Sequence, residues 1–161
     1  MATFRTNTQD IGDPLMSTPA VAPPSPSSAA ETMVNSNTKT VCELSQRFFF
    51  EAAHTLNRGI ETESSRRIHG HTYEAEVTVA GQPDATSGML IDLGYLRSEI
   101  TRVREMLDHR LLDEVQDLGP ATIENLCAFI RKQLEDSVPS LCAVMVERRL
   151  SGDRCVLRWT R

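Results

Sequence analysis

The chain has 161 residues, 40% of them hydrophobic and 24% charged, with 17 basic against 22 acidic side chains and a formal net charge of -5. That is one ordinary domain with spare length, and a pI near 5.4 leaves no cationic footprint for a nucleic acid. No apolar run approaches the roughly 18 residues a membrane span needs, so neither nucleic acid nor membrane is expected as a partner.

Residues 1–40 hold five of the eight prolines and twelve Ser or Thr without a hydrophobic period, which predicts a disordered N-terminal arm. It lacks the basic start and apolar block of a secretory signal. Met16 and Met33 offer later translation starts. The four cysteines, Cys42, Cys127, Cys142 and Cys155, have no CxxC spacing and lie mostly in apolar segments. Such thiols suit a reducing, cytoplasmic setting without a disulfide scaffold or zinc knuckle.

From Val41 the composition changes, and residues 41–161 are enough for one core. The first predicted strand runs from Val41 to about Leu56. The second, Ile68 to Ala80, puts His69, His71, Tyr73, Ala75, Val77 and Val79 on one face and Gly70, Thr72, Glu74, Glu76 and Thr78 on the other. Turn residues follow, then a short extended piece, Met89-Leu90-Ile91. Asp92 is a plausible N-cap for a helix with Leu93, Leu96, Ile100, Val103 and Leu107 as its apolar stripe, running into Asp108-His109. A second helix opens at Thr122, with Ile123, Leu126, Cys127, Ile130 and Leu134 facing the core, and Pro139 closes it. Two strands complete the pattern, Leu141 to Arg148 and Cys155 to Trp159, around the turn Ser151-Gly152-Asp153.

The chain has four histidines, His54, His69, His71 and His109. His69 and His71, two apart on a strand, share its apolar face, where each ring nitrogen needs a partner. Backbone-bonded histidines or a frayed, wet strand end would account for such a pair alone. With His54 near the end of the neighbouring strand, three neutral imidazoles make an open zinc site of the catalytic kind, with a fourth place for water or substrate. Gly70 between two of the ligands is expected to leave room for close approach. His109 follows a helix end beside Asp108, where the carboxylate can orient the ring for acid-base work, or where the pair is only a solvated helix end.

In order along the chain, Phe50-Glu51-Ala52-Ala53-His54-Thr55-Leu56, His69-Gly70-His71-Thr72-Tyr73, Ile91-Asp92-Leu93, Leu107-Asp108-His109 and Thr122-Ile123-Glu124-Asn125 resemble the 6-pyruvoyltetrahydropterin synthase and 6-carboxytetrahydropterin synthase family. The likeness covers Cys42 to the C-terminus. It implies an α+β tunnelling fold (T-fold) over 41–161: an antiparallel ββααββ sheet with two helices on one face. Such subunits assemble through their sheets into a barrel, as a trimer- or hexamer-type homo-oligomer with sites between subunits. It further implies zinc on His54, His69 and His71 and dihydroneopterin triphosphate as substrate. Proton transfer falls to a cysteine with Asp108 and His109, and Thr122, Glu124, Glu147 and Arg148 occupy substrate-side positions.

Two positions depart from the family pattern. The cysteine four residues before His-x-His is Ser65, whose unassisted hydroxyl does not ionise at neutral pH as a thiol does. The glutamate that some members use three residues before the pair is Arg66, with Glu61 and Glu63 in the same loop as substitutes. The carboxylate that meets the amino-pyrimidine edge falls at Arg148, a donor-only side chain that would repel it, while Glu147 is one residue out of phase. Three functions follow: a zinc-dependent lyase or cyclase on the family substrate or a related small molecule, a repurposed zinc enzyme of specialised metabolism with a non-pterin substrate, or a non-catalytic binding subunit. For the first, zinc is the Lewis acid, His109 the general acid/base, Asp108 its orienter, and Ser65 at most a hydrogen-bonding group.

Overall fold

The computed structural model describes residues 40–60 and 62–159; the arm expected over 1–40 lies, apart from Thr40, outside them. Two long strands, β1 (Cys42–His54) and β2 (His69–Gly81), pair antiparallel over their full length. Their shared register follows from aromatic packing. Phe50 lies opposite Tyr73 with ring centroids 4.9 Å apart, and Phe48 lies opposite Ala75, all four buried. A one-residue slip would turn this whole set outward.

Between β1 and β2 a short helix, α1 (Thr62–Arg66), was not expected from the sequence. At five residues it is too short to show a period. Leu56 N–H donates to the Ser65 carbonyl at 2.8 Å and ties this segment back to the end of β1. Residues 89–91 form no strand, and the chain there bends into α2 (Leu93–Leu107). Asp92 caps that helix, its side chain accepting from Tyr95 N–H at 3.0 Å. Leu96, Ile100, Val103 and Leu107 are buried, whereas Leu93 stays exposed. A 3-10 turn, Leu112–Glu114, leads to α3 (Ile123–Leu134), which ends before the expected stop at Pro139. The Ser137 hydroxyl bonds the Leu134 carbonyl and Val138 is buried, so the chain leaves the helix a turn before the proline restricts it.

β3 (Leu141–Arg148) and β4 (Asp153–Arg158) complete an antiparallel sheet in the order β1-β2-β3-β4. α2 packs on β1, and α3 on β3 and β4. The helix-covered face carries the core and, at one end, His54, His69, His71 and Arg148. The opposite face carries Arg47, Glu74, Glu76, Glu147 and Arg149 in a lattice of ion pairs. No described helix is long and apolar enough to cross a membrane.

Candidate metal centre and active site

The paired ends of β1 and β2 build the centre. His54 stands directly opposite His69, and His71 lies opposite Ala52, so the three rings meet on the inner face. Their centroids are 4.5 Å (His54–His69), 5.1 Å (His54–His71) and 5.0 Å (His69–His71) apart. One ligand atom from each lies within 4.8 Å of the others, a grouping a single ion could hold. Beyond His54 the chain is gripped by Asp113, which accepts from Thr55 N–H at 2.8 Å and from its hydroxyl at 2.5 Å.

His54 is 1% exposed and neither ring nitrogen has a hydrogen-bond partner. A buried imidazole without partners is costly, and an ion that accepts its lone pair removes the part of that cost due to the acceptor nitrogen. His69 Nδ1 lies 2.8 Å from the Arg67 carbonyl. Because a carbonyl only accepts, that bond puts the proton on Nδ1 and leaves the Nε2 lone pair for a metal. These residues therefore fit zinc.

Among the described residues, the buried side-chain polar atoms without a partner belong to His54, Tyr73 and Arg148, which stand together at this end of the sheet. Tyr73 flanks His71 with centroids 5.7 Å apart. Burial pushes its hydroxyl up to about 12, so it stays neutral. Arg148 Nη1 lies 3.2 Å from His71 Nε2, and its Nη2 donates to Asp153 Oδ2 at 2.6 Å.

In the metal-free protein, burial first and then His69 and His71 push His54 down to about 4. Arg148 adds to the fall, and the Ala121 carbonyl opposes it without reaching hydrogen-bond geometry. The unfolded chain, with an ordinary histidine near 6.5, then binds more protons than the folded one between that value and about 4. The His54 contribution is full above the window and falls as pH drops through it, by at most about 3 kcal/mol, and His71, lowered chiefly by burial, adds a loss of the same sign. Denaturant unfolding of chelator-treated protein across that range is expected to show the decline.

His109 has φ 58°, a left-handed conformation fixed by its N–H donating to the Glu51 carbonyl at 2.6 Å. Its Nδ1 lies 3.0 Å from Asp108 Oδ1, which also accepts from Glu51 N–H at 2.9 Å. Asp108 Oδ2 accepts from Arg104 at 2.8 Å. The Glu51 amide, and then the His109 and Arg104 bonds, hold the Asp108 carboxyl below its usual range, so it is ionised. His109 opens onto a cleft of about 810 Å³ that His71 and Arg148 also line.

Ser65 is buried, its hydroxyl 3.4 Å from the Thr62 carbonyl, and it shares the wall of a second cavity with His69, His71 and Arg148. Arg66 turns away to Asn57. Glu61 lies outside the described residues, and Glu63 is exposed on α1. Thr122 and Glu124 line a third cavity beside Arg148 and Asp153. The Thr122 hydroxyl is the N-cap of α3, accepting from Asn125 N–H at 3.2 Å. Thr122→Ala is expected to cost about 1 kcal/mol in denaturant unfolding and Thr122→Ser little, because serine caps equally well.

Two expectations need correction. Glu147 faces away from the histidines, bonded to Arg149 at 2.9 Å on the opposite sheet face, because no bulge intervenes in the β3 register there to re-aim it. Gly70 is not needed for space: a Cβ there would sit 3.7 Å from the Ala52 carbonyl, an ordinary contact. Sequence reasoning also passed over Asp153, read as a turn residue. Its signal was available, since the hairpin puts it directly across from Arg148.

The model of the 6-pyruvoyl tetrahydropterin synthase family matches residues 43–157. The chain belongs to this family. It is 35% identical over 107 residues to the 6-carboxy-5,6,7,8-tetrahydropterin synthase of Synechocystis, covering 63% of this chain and 81% of that one. A putative 6-pyruvoyl tetrahydrobiopterin synthase of Caenorhabditis elegans is 36% identical over 70 residues, covering 42% of this chain. The chain spans 50% of that relative's length. A solved structure of Caenorhabditis elegans 6-pyruvoyl tetrahydropterin synthase superposes with a TM-score of 0.64 at 25% identity, over 75% of this chain and 97% of the other. The T-fold expected from the sequence is thus the fold observed.

Proposed function

We propose that this family member is a zinc-dependent lyase or cyclase acting on dihydroneopterin triphosphate or a related small molecule. The observation that carries the reading is the buried His54 ring, without a partner on either nitrogen, between His69 and His71. His54, His69 and His71 would hold zinc, which when bound supplies Lewis-acid polarisation of a substrate oxygen. His109 exchanges a proton with the substrate carbon through Nε2, since its Nδ1 is committed to Asp108. Ser65 hydrogen-bonds at the cavity wall, and Thr122 and Glu124 line the far end. The open edges β1 and β4 and the helix-free sheet face suit closure into a homo-oligomeric barrel. The free cysteines suit a cytoplasmic setting.

Zinc-loaded protein incubated with dihydroneopterin triphosphate should release triphosphate, and His109→Asn should slow the release by about 10²–10⁴-fold. Absence of turnover by protein with full zinc content would move the assignment to a second reading, a zinc enzyme with a non-pterin substrate. Arg148 favours that reading, because it fills the site with donors where an amino-pyrimidine edge needs acceptors.

A further inference from the structure

Arg148 is 9% exposed, yet its guanidinium is only partly satisfied. Of its donors, Nη2 goes to Asp153 and Nη1 to His71 Nε2, while Nε has no partner. A metal ion on the histidines satisfies the one His54 nitrogen that carries a lone pair. It does nothing for Arg148 Nε, which, like the remaining His54 N–H, can only donate and so needs an acceptor. The cavity of about 330 Å³ that joins Arg148 to His69 and His71 is also lined, among the described residues, by Arg58 and Asp153. Asp153 is itself drawn to the Ser151 hydroxyl at 2.8 Å. A planar guanidinium whose buried Nε lacks an acceptor, and whose Nη atoms are held by a histidine nitrogen and one carboxylate, is matched by an oxyanion.

We propose that Arg148 receives a carboxylate or phosphate group of the substrate, so that this site takes an anionic small molecule and not one presenting an amino-pyrimidine N–H edge. The inference rests on the second reading above, a zinc enzyme with a non-pterin substrate, for the position of the reacting group, but the anion contact itself needs only Arg148. It carries a coupling. Arg148 Nη1 engages the Nε2 lone pair of His71 and brings a positive charge beside a metal ligand. An oxyanion that takes over those donors relieves both, so anion and zinc each strengthen the binding of the other by the same factor.

Calorimetric titration of the full chain, zinc-loaded and chelator-treated, with glycolate, glycerol 3-phosphate and uncharged neopterin tests this. At least one anionic probe should bind about tenfold or more tighter than neopterin, and Arg148→Gln should weaken it by a similar factor. Which of the two anions binds tells a carboxylate from a phosphate. Zinc affinity by chelator competition should rise when that probe is saturating, and this rise should vanish in Arg148→Gln. Asp153→Asn, which removes the competing carboxylate, should tighten the anion severalfold and decides the matter if Arg148→Gln does not fold. Tighter binding of neopterin than of both anions, unchanged anion affinity in Arg148→Gln, or no tightening in Asp153→Asn would overturn the proposal. A chain that takes up no zinc when it is supplied, yet binds the anion through Arg148, would defeat the metal-dependent reading and leave the anion contact standing.

Discussion

His54→Leu is expected to change stability in opposite directions depending on metal. In chelator-treated protein the wild-type ring is buried with both nitrogens unpaired. Each such atom costs about 1–3 kcal/mol, so an apolar side chain of similar size removes a penalty and should leave the melting temperature unchanged or raise it. It should also reduce the loss of stability on acidification by the part that arises from the depressed His54 proton affinity, leaving the part due to His71. In zinc-saturated protein the same substitution removes a ligand. A metal held at a thousand times its dissociation constant stabilises by about 4 kcal/mol, and most of that should disappear. Paired melting curves, with metal content measured on each sample, check both signs. Equal shifts in the two states, or a wild type whose melting ignores zinc, would mean that His54 is only a poorly satisfied core histidine.

The histidine cluster was half legible from sequence. The i, i+2 spacing of His69 and His71 on an alternating strand fixes their common face, because side chains in a strand have a period of two. Placing His54 against them needs the β1/β2 register, which is set by Phe50 on Tyr73 and not by the histidines. Helix starts at Asp92 and Thr122 were legible because capping depends on one local side chain. What escaped was long-range or too short to have a period: α1, the Asp113 grip on Thr55, and Arg104 reaching both Phe49 O and Asp108. Strand phase puts Arg148 on the inner face, yet the direction its guanidinium takes depends on His71 and Asp153, one from a strand paired before it and one from a strand paired after.

His109→Asn is expected to remove activity without loosening the fold, and Asp108→Asn to do both. His109 sits at φ 58°, a conformation asparagine tolerates, and the bond that fixes it there comes from its backbone N–H to Glu51 O. Its side chain is 74% exposed, so truncating the ring uncovers little. Loss of a general acid/base typically costs about 10²–10⁴-fold in rate, and kcat should fall by that amount while the melting temperature barely moves. Asp108 is different because its carboxylate also receives the Glu51 amide and the Arg104 guanidinium. An amide in its place keeps one acceptor oxygen and sets an NH2 group against donors. Asp108→Asn should therefore destabilise, and it should lose the stabilisation that the depressed carboxyl gives. That contribution is present above the ordinary carboxylate range and disappears as pH falls through the lowered folded value. The wild-type and Asp108→Asn unfolding curves should accordingly converge in acid. If His109→Asn instead kept its turnover while Asp108→Asn lost it, the carboxylate alone would be needed, and the pair would be a helix-end clamp rather than a proton-transfer device.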